Sequence, residues 1–184
     1  MRLLLVLLLL VPLAPAHQPA EVQSEFEVPN PTISYAVNGR FTSGDEVFTL
    51  HMELDRGFAL PFELLIEKRA ANEDHRPMYA VVGPGLPAPS DEVRALLPRE
   101  LPEGVGVFID RNDDAERLVI FESVMRRYYW SSDTTALALD PGAHEVWVWS
   151  PEGTTGDFVI GLGVEEDFSE GTGGLFSNWR TYAY

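Results

Sequence analysis

The stretch Gly142–Asp167, GAHEVWVWSPEGTTGDFVIGLGVEED, decides the fold. In its first half His144, Val146 and Val148 fall on one side of an extended chain, and Glu145, Trp147 and Trp149 on the other. In its second half Phe158, Ile160, Leu162 and Val164 stand opposite Val159, Gly161 and Gly163. A period of two sustained in this way means strands, because a helix would repeat its apolar face every three to four residues. The break SPEGTTG carries turn chemistry and reads as a hairpin, which would set the small glycines of the second strand beside the tryptophans of the first. The aromatic and aliphatic mass is accounted for by the middle of a sheet.

The same pattern extends outward in both directions. EVFTLHMEL alternates Phe48, Leu50, Met52 and Leu54 with Val47, Thr49, His51 and Glu53, and PFELLIEK repeats it with Phe62, Leu64 and Ile66 behind a proline suited to a strand start. Short runs follow at ISYAV, MYAVV, GVGVFI, RLVIFES and TALAL, separated by breakers such as GPGLPAP, DRNDDAE and DPG. Many short strands at close spacing predict an all-β chain: a single antiparallel β-sandwich of the jelly-roll type with about eight strands over residues 32–168. Phe48, Leu50, Leu64, Ile120, Val146, Phe158 and Ile160 are expected to face its core. The one helical segment is SDEVRALL, where Ser90 caps the N-terminus, Asp91 and Glu92 suit the helix dipole, and Pro98 limits the length to about two turns. Residues 17–31 read as a polar, Pro-punctuated arm without periodicity. The tail 169–184 is glycine-loosened and then aromatic, so that Leu175, Phe176 and Trp179 either dock on the sheet or leave a partly disordered end.

The first sixteen residues, MRLLLVLLLLVPLAPA, carry Arg2, a Leu/Val run and small residues at Ala14 and Ala16. This is the pattern of a secretory signal cut after Ala16, and the apolar run is short for a membrane span. The expectation is an exported protein, periplasmic or extracellular, with no membrane span. Cysteine is absent, so the fold has to rest on burial rather than disulfides. The formal net charge is −16, and about −17 once Arg2 leaves with the signal. So acidic a surface repels phosphate backbones, which excludes nucleic acid as a partner.

The segments HRPMYAVVGPGLP and GAHEVWVWSPEGTTGDFVIGLGVEEDF resemble, over roughly residues 33–168, the paired patterns of a family of uncharacterised exported bacterial proteins. GDEVFTLHMELDRG, taken with the same ending, is loosely similar to the jelly-roll domain found at the C-termini of secreted peptidases, the pre-peptidase C-terminal domain. The resemblance implies a fold and an accessory role, with calcium bound in some members. None of that family's ligands matches a position here, so none is carried over.

Nucleophilic catalysis finds no support: there is no Cys and no G-x-S-x-G elbow, and the glycines of GPGLP and GLG precede no helix that could cradle a phosphate. Adjacent acids such as Glu165 and Glu166 are weak signals of acid–base work in an acidic chain. The best metal segment is DRNDDAE, where Asp110, Asn112, Asp114 and Glu116 alternate and could turn hard oxygens toward calcium. Against a calcium loop stand Ala115, where the turn glycine belongs, and Phe121, where a bidentate Glu belongs; the plainer reading is a solvated hairpin turn. For a ligand surface, RRYYW offers Tyr128, Tyr129 and Trp130, with Tyr128 and Trp130 on the side away from Tyr129, suited to stacking on sugars or aromatic ligands. Cleavage after Ala16 would also make His17 the first residue, able to chelate copper if His51, His75 or His144 completed the site. These readings converge on a non-catalytic exported binding or accessory protein of the bacterial cell envelope, with an envelope protein or a carbohydrate as partner. A calcium- or copper-binding extracytoplasmic protein is the alternative, and a hydrolase the third reading.

Overall fold

Twelve strands, one short α-helix and one 3₁₀ turn make up the described residues, 17–122 and 125–165, of this computed structural model. The leader at 1–16, Glu166 and the tail with Leu175, Phe176 and Trp179 lie outside the described residues. The strands are β1 (Gln18–Glu21), β2 (Glu25–Glu27), β3 (Tyr35–Phe41), β4 (Val47–Leu54), β5 (Phe58–Glu67), β6 (Met78–Gly83), β7 (Gly106–Asp110), β8 (Leu118–Glu122), β9 (Arg127–Ser131), β10 (Thr135–Leu139), β11 (Gly142–Trp149) and β12 (Gly156–Leu162). The 3₁₀ turn Ala70–Asn72 follows β5, and α1 (Asp91–Leu96) lies between β6 and β7. A larger sheet runs β1-β3-β12-β5-β9-β8, with β10 also on β5, and a smaller one runs β2-β4-β11-β6-β7. The two pack face to face as a β-sandwich. Among the described residues no helix is long and apolar enough to cross a membrane.

The alternation read from the sequence is the alternation that packs. Phe48, Leu50, Leu64, Val146, Phe158 and Ile160 are all buried in one cluster between the sheets, together with Leu60, Phe62 and Ile66 of β5. Phe41, Phe48 and Phe158 meet there with ring centroids 5.0–5.2 Å apart, within the range where edge-on and tilted aromatic pairs attract. Ile120 is the exception. It lies opposite Tyr129 in the β8–β9 pairing, on the face turned away from the core, and is only half-buried. A five-residue run whose members are nearly all apolar does not say which of its faces is the inner one.

The break SPEGTTG is not a hairpin. β11 pairs with β4 and β6 in the smaller sheet, whereas β12 pairs with β3 and β5 in the larger, so the turn carries the chain from one sheet to the other. It is held by Ser150, whose Oγ accepts from the Thr154 backbone N–H at 2.9 Å. The tryptophans therefore never meet the glycines. Trp147 and Trp149 project from the outer face of the smaller sheet, where they form a second core with Ala80, Val82 and Val107. Val93 and Leu97 of the α1 region, and Leu101 beyond it, cover them. α1 itself starts as expected, with Ser90 Oγ accepting from Val93 N–H at 3.2 Å.

Three further features depart from expectation. DRNDDAE also crosses between sheets, because β7 pairs with β6 while β8 pairs with β9. The stretch 17–31 is not a free arm: β1 and β2 add to β3 and β4 as parallel edge strands, which makes both sheets mixed and starts the sandwich at Gln18. These two strands are too short to display alternation and are secured by backbone bonds such as Gln18 N–H to Ser34 O at 2.7 Å and Thr49 N–H to Ser24 O at 2.8 Å. With β9 also present, the strand number is twelve where about eight were expected.

Candidate functional site

The residues of the larger sheet that point away from the core converge on one groove. In β12 the buried Phe158, Ile160 and Leu162 alternate with Asp157 and Val159, which face outward. The register sets Asp157 beside Arg40, Val159 beside Leu65, and Glu67 beside Tyr129. Arg69, just past β5, and Arg127 on β9 join them, with Glu21 and Glu46, in the lining of a groove of about 830 Å³.

Five charged side chains form a ladder across it. Arg40 grips Asp157 with two N–H groups, Arg69 donates to the same carboxylate at 3.0 Å and stands 3.8 Å from Glu67, and Arg127 reaches Glu67 at 3.2 Å. The hydrogen bond to Asp157 raises the pKa of the Arg40 guanidinium above its ordinary value. The arginine side chains are 62, 46 and 38 % exposed for Arg40, Arg69 and Arg127, against 33 % for Asp157 and 22 % for Glu67. The guanidinium groups thus stand toward solvent and the carboxylates lie deeper, bracing them. Tyr129 is buried among the lining residues, and that burial, with the charge of Glu67 added, raises its hydroxyl pKa. This arrangement can receive a ligand of the size such clefts commonly hold, with charged donors at the mouth and the side chains of Leu65, Val159 and Tyr129 along the wall.

Of the expected ligand surface, β9 places Tyr129 in this groove and sends Tyr128 and Trp130 to the opposite face. Trp130 packs against the main core with the Arg117 guanidinium 4.6 Å over its ring. Tyr128 is 58 % exposed, and its ring centroid lies 5.0 Å from that of Phe121, itself 54 % exposed. The three aromatics are therefore split between a groove wall, a core margin and an open strip.

The metal segment is engaged in other contacts. Asp110 pairs with Tyr79 across β6 and β7, its Oδ1 accepts the Asn112 backbone N–H at 2.9 Å, and burial raises its carboxyl above the ordinary range. Asn112, in a left-handed backbone conformation (φ 47°), donates its side-chain amide to Pro77 O at 3.1 Å. Arg76 fills the loop, donating to Asn112 O at 3.3 Å and Asp114 O at 2.9 Å. A cation of the protein's own thus takes carbonyls that an ion would use. Asp114 and Glu116 are exposed, and among the described residues no group of three or more His, Asp or Glu side chains is placed to hold a metal. Calcium and magnesium at equal millimolar concentration are accordingly expected to raise the melting temperature by equal amounts. A larger calcium shift, abolished by Asp110→Ala with Asp114→Ala, would assign the loop to calcium.

The histidines lie in separate environments. His17 hydrogen-bonds to Ser34 Oγ, His51 stands 3.5 Å from Glu145, His75 meets Thr154 Oγ1 at 2.8 Å, and His144 sits between Gly142 O and Pro84 O. Arg40, Glu67, Arg69, Arg127 and Asp157 form the most connected polar group in the groove, yet they were not singled out from the sequence. Each is an ordinary polar residue at an outward strand position or just past one, and only the order of strands brings residues 40, 67, 127 and 157 together.

No protein-family model matches the chain, and no curated protein matches it. Solved structures do. The pre-peptidase C-terminal domain of a Bacillus anthracis collagenase aligns with 80 % of this chain and 96 % of its own, at 10 % identity and a TM-score of 0.37. CorA, a surface-associated copper-binding protein of Methylomicrobium album BG8, aligns with 79 % of this chain and all of its own, at 10 % identity and a TM-score of 0.38. Both likenesses are loose, and the β-sandwich itself rests on the strand order and packing described above.

Proposed function

We propose that this chain is a non-catalytic binding or accessory protein exported to the bacterial cell envelope, and that it holds its ligand in the groove on the outer face of the larger sheet. The observation that carries this reading is the groove itself: about 830 Å³ bounded by three arginines, the two carboxylates that brace them, Glu21, Glu46 and a buried tyrosine. Export is supported by the signal pattern of residues 1–16. A binding rather than catalytic role is supported by the chemistry of the lining, in which Asp157 and Glu67 are shared between arginines, Glu46 is taken up by Thr42, Ser43 and Gly44, and among the described residues no Ser, Cys or His nucleophile–base pair faces the space.

The exposed pair Phe121 and Tyr128 favours a second contact surface for an envelope protein or a carbohydrate, since two neighbouring open rings offer a stacking platform. Chemical-shift mapping with a panel of envelope oligosaccharides and peptides separates the two. Saturable shifts concentrated at Leu65, Tyr129 and Val159 are expected. Shifts concentrated at Phe121 and Tyr128 would move the site to the strip, and the absence of saturable shifts at either would overturn the reading.

A further inference from the structure

Building on the groove as the ligand site, we propose that it selects a carboxylate-bearing organic ligand with an apolar body, held through Arg69 and its neighbouring guanidinium groups. The five-residue ladder sums to +1 in a chain whose formal charge is −16, although Glu21 and Glu46 elsewhere on the lining bring the lining as a whole to −1, so the positive charge is confined to the ladder itself. Each guanidinium has five N–H donors. Among the described residues the three arginines spend only four of theirs on Asp157 and Glu67. The remaining donors belong to the most exposed members of the ladder, while the carboxylates beneath hold the planar forks in place. Fixed forks match a planar carboxylate in two parallel hydrogen bonds, which favours it over a neutral group of the same shape. Leu65 and Val159 stand side by side on the same wall and suit a hydrocarbon portion, which a bare inorganic anion lacks.

Arg69 is the informative position. Its removal leaves Asp157 paired with Arg40 and Glu67 paired with Arg127, so that no carboxylate is stranded and the fold has no cause to suffer. The probes are 4-methylpentanoate and N-acetyl-leucine, each against its own amide, titrated into the isotope-labelled full chain; the two acids separate a free organic acid from a peptide C-terminus. At least one acid is expected to give saturable shifts at Leu65, Val159 and Tyr129, to bind roughly tenfold or more tightly than its amide, and to lose roughly tenfold in affinity in Arg69→Gln while the melting temperature holds. Arg69→Lys, which keeps the charge and loses the fork, is expected to recover only part of that loss. Equal binding of acid and amide in the groove would overturn the carboxylate class while leaving the groove as a binding site. Displacement by an equal concentration of sulfate would overturn the organic class in favour of a general anion site. No shifts in the groove from acids or amides would overturn this inference, and if the oligosaccharide and peptide panel also left the groove unshifted, the groove reading would fall with it.

Discussion

Trp147→Ala is expected to destabilise the protein by about 3–5 kcal/mol, measured by urea unfolding. Trp147 is 1 % exposed although it projects from the outer face of a sheet, because residues around α1 close over it. Its indole N–H donates to Glu145 Oε2 at 2.5 Å, and the Arg99 guanidinium stacks 4.2 Å from its ring while bonding the same carboxylate at 2.8 Å. Truncation removes one of the two buried indoles of the second core, leaves a cavity, and takes from Val93, Leu97 and Leu101 the surface they pack on. Since α1 has no buried residue of its own and only six residues, it has little else to hold it. The dependence of free energy on urea should therefore also become shallower, as the covering segment detaches before the sandwich unfolds. Trp147→Phe keeps most of the volume and is expected to cost much less. A loss under about 1 kcal/mol in Trp147→Ala would mean that the second core contributes little.

The second large effect is a loss of stability in mild acid, through His75. Its side chain is buried at 2 % exposure, with Phe41 5.5 Å away ring to ring, and its Nε2 has no hydrogen-bond partner among the described residues. Burial, reinforced by the positive charge of Arg117 and opposed by Asp157, lowers the imidazole pKa from 6.5 to about 4. The folded protein thus resists the proton that the unfolded chain accepts near 6.5. This contribution is complete above that pH and is lost as pH falls toward 4, a difference worth roughly 3 kcal/mol. Glu46 acts lower still. Burial works against its charge, but the Thr42 hydroxyl and the backbone N–H groups of Thr42 and Ser43 outweigh it and hold the carboxyl well below the ordinary 4.5. Its share is lost only below that value, outside most of the histidine window. His75→Gln, which retains a donor for Thr154, should be less stable at pH 7 and show a correspondingly flatter profile between pH 6.5 and 4. Parallel profiles for the two proteins would sink the assignment.

The sequence by itself determined the strands and the inner face of most of them. Alternation in EVFTLHMEL, PFELLIEK, HEVWVW and DFVIGLGV is a local consequence of the extended backbone, so it survives without knowledge of any neighbour. The cap at Ser90 was legible for the same reason, being a bond across three residues. Tertiary structure alone decided which strands are partners. SPEGTTG and DRNDDAE have the composition of hairpin turns, yet both cross between sheets, because a turn constrains where the chain reverses and not which edge awaits it. The short strands β1 and β2 were invisible because backbone bonds to β3 and β4, not side-chain period, hold them. The tryptophans, expected beside the glycines of the next strand, form a core of their own because the α1 region covers them. The groove was hidden most completely, since Arg40, Glu67, Arg127 and Asp157 share a surface only through the order β3-β12-β5-β9, and that order is set by the burial of all four strands at once.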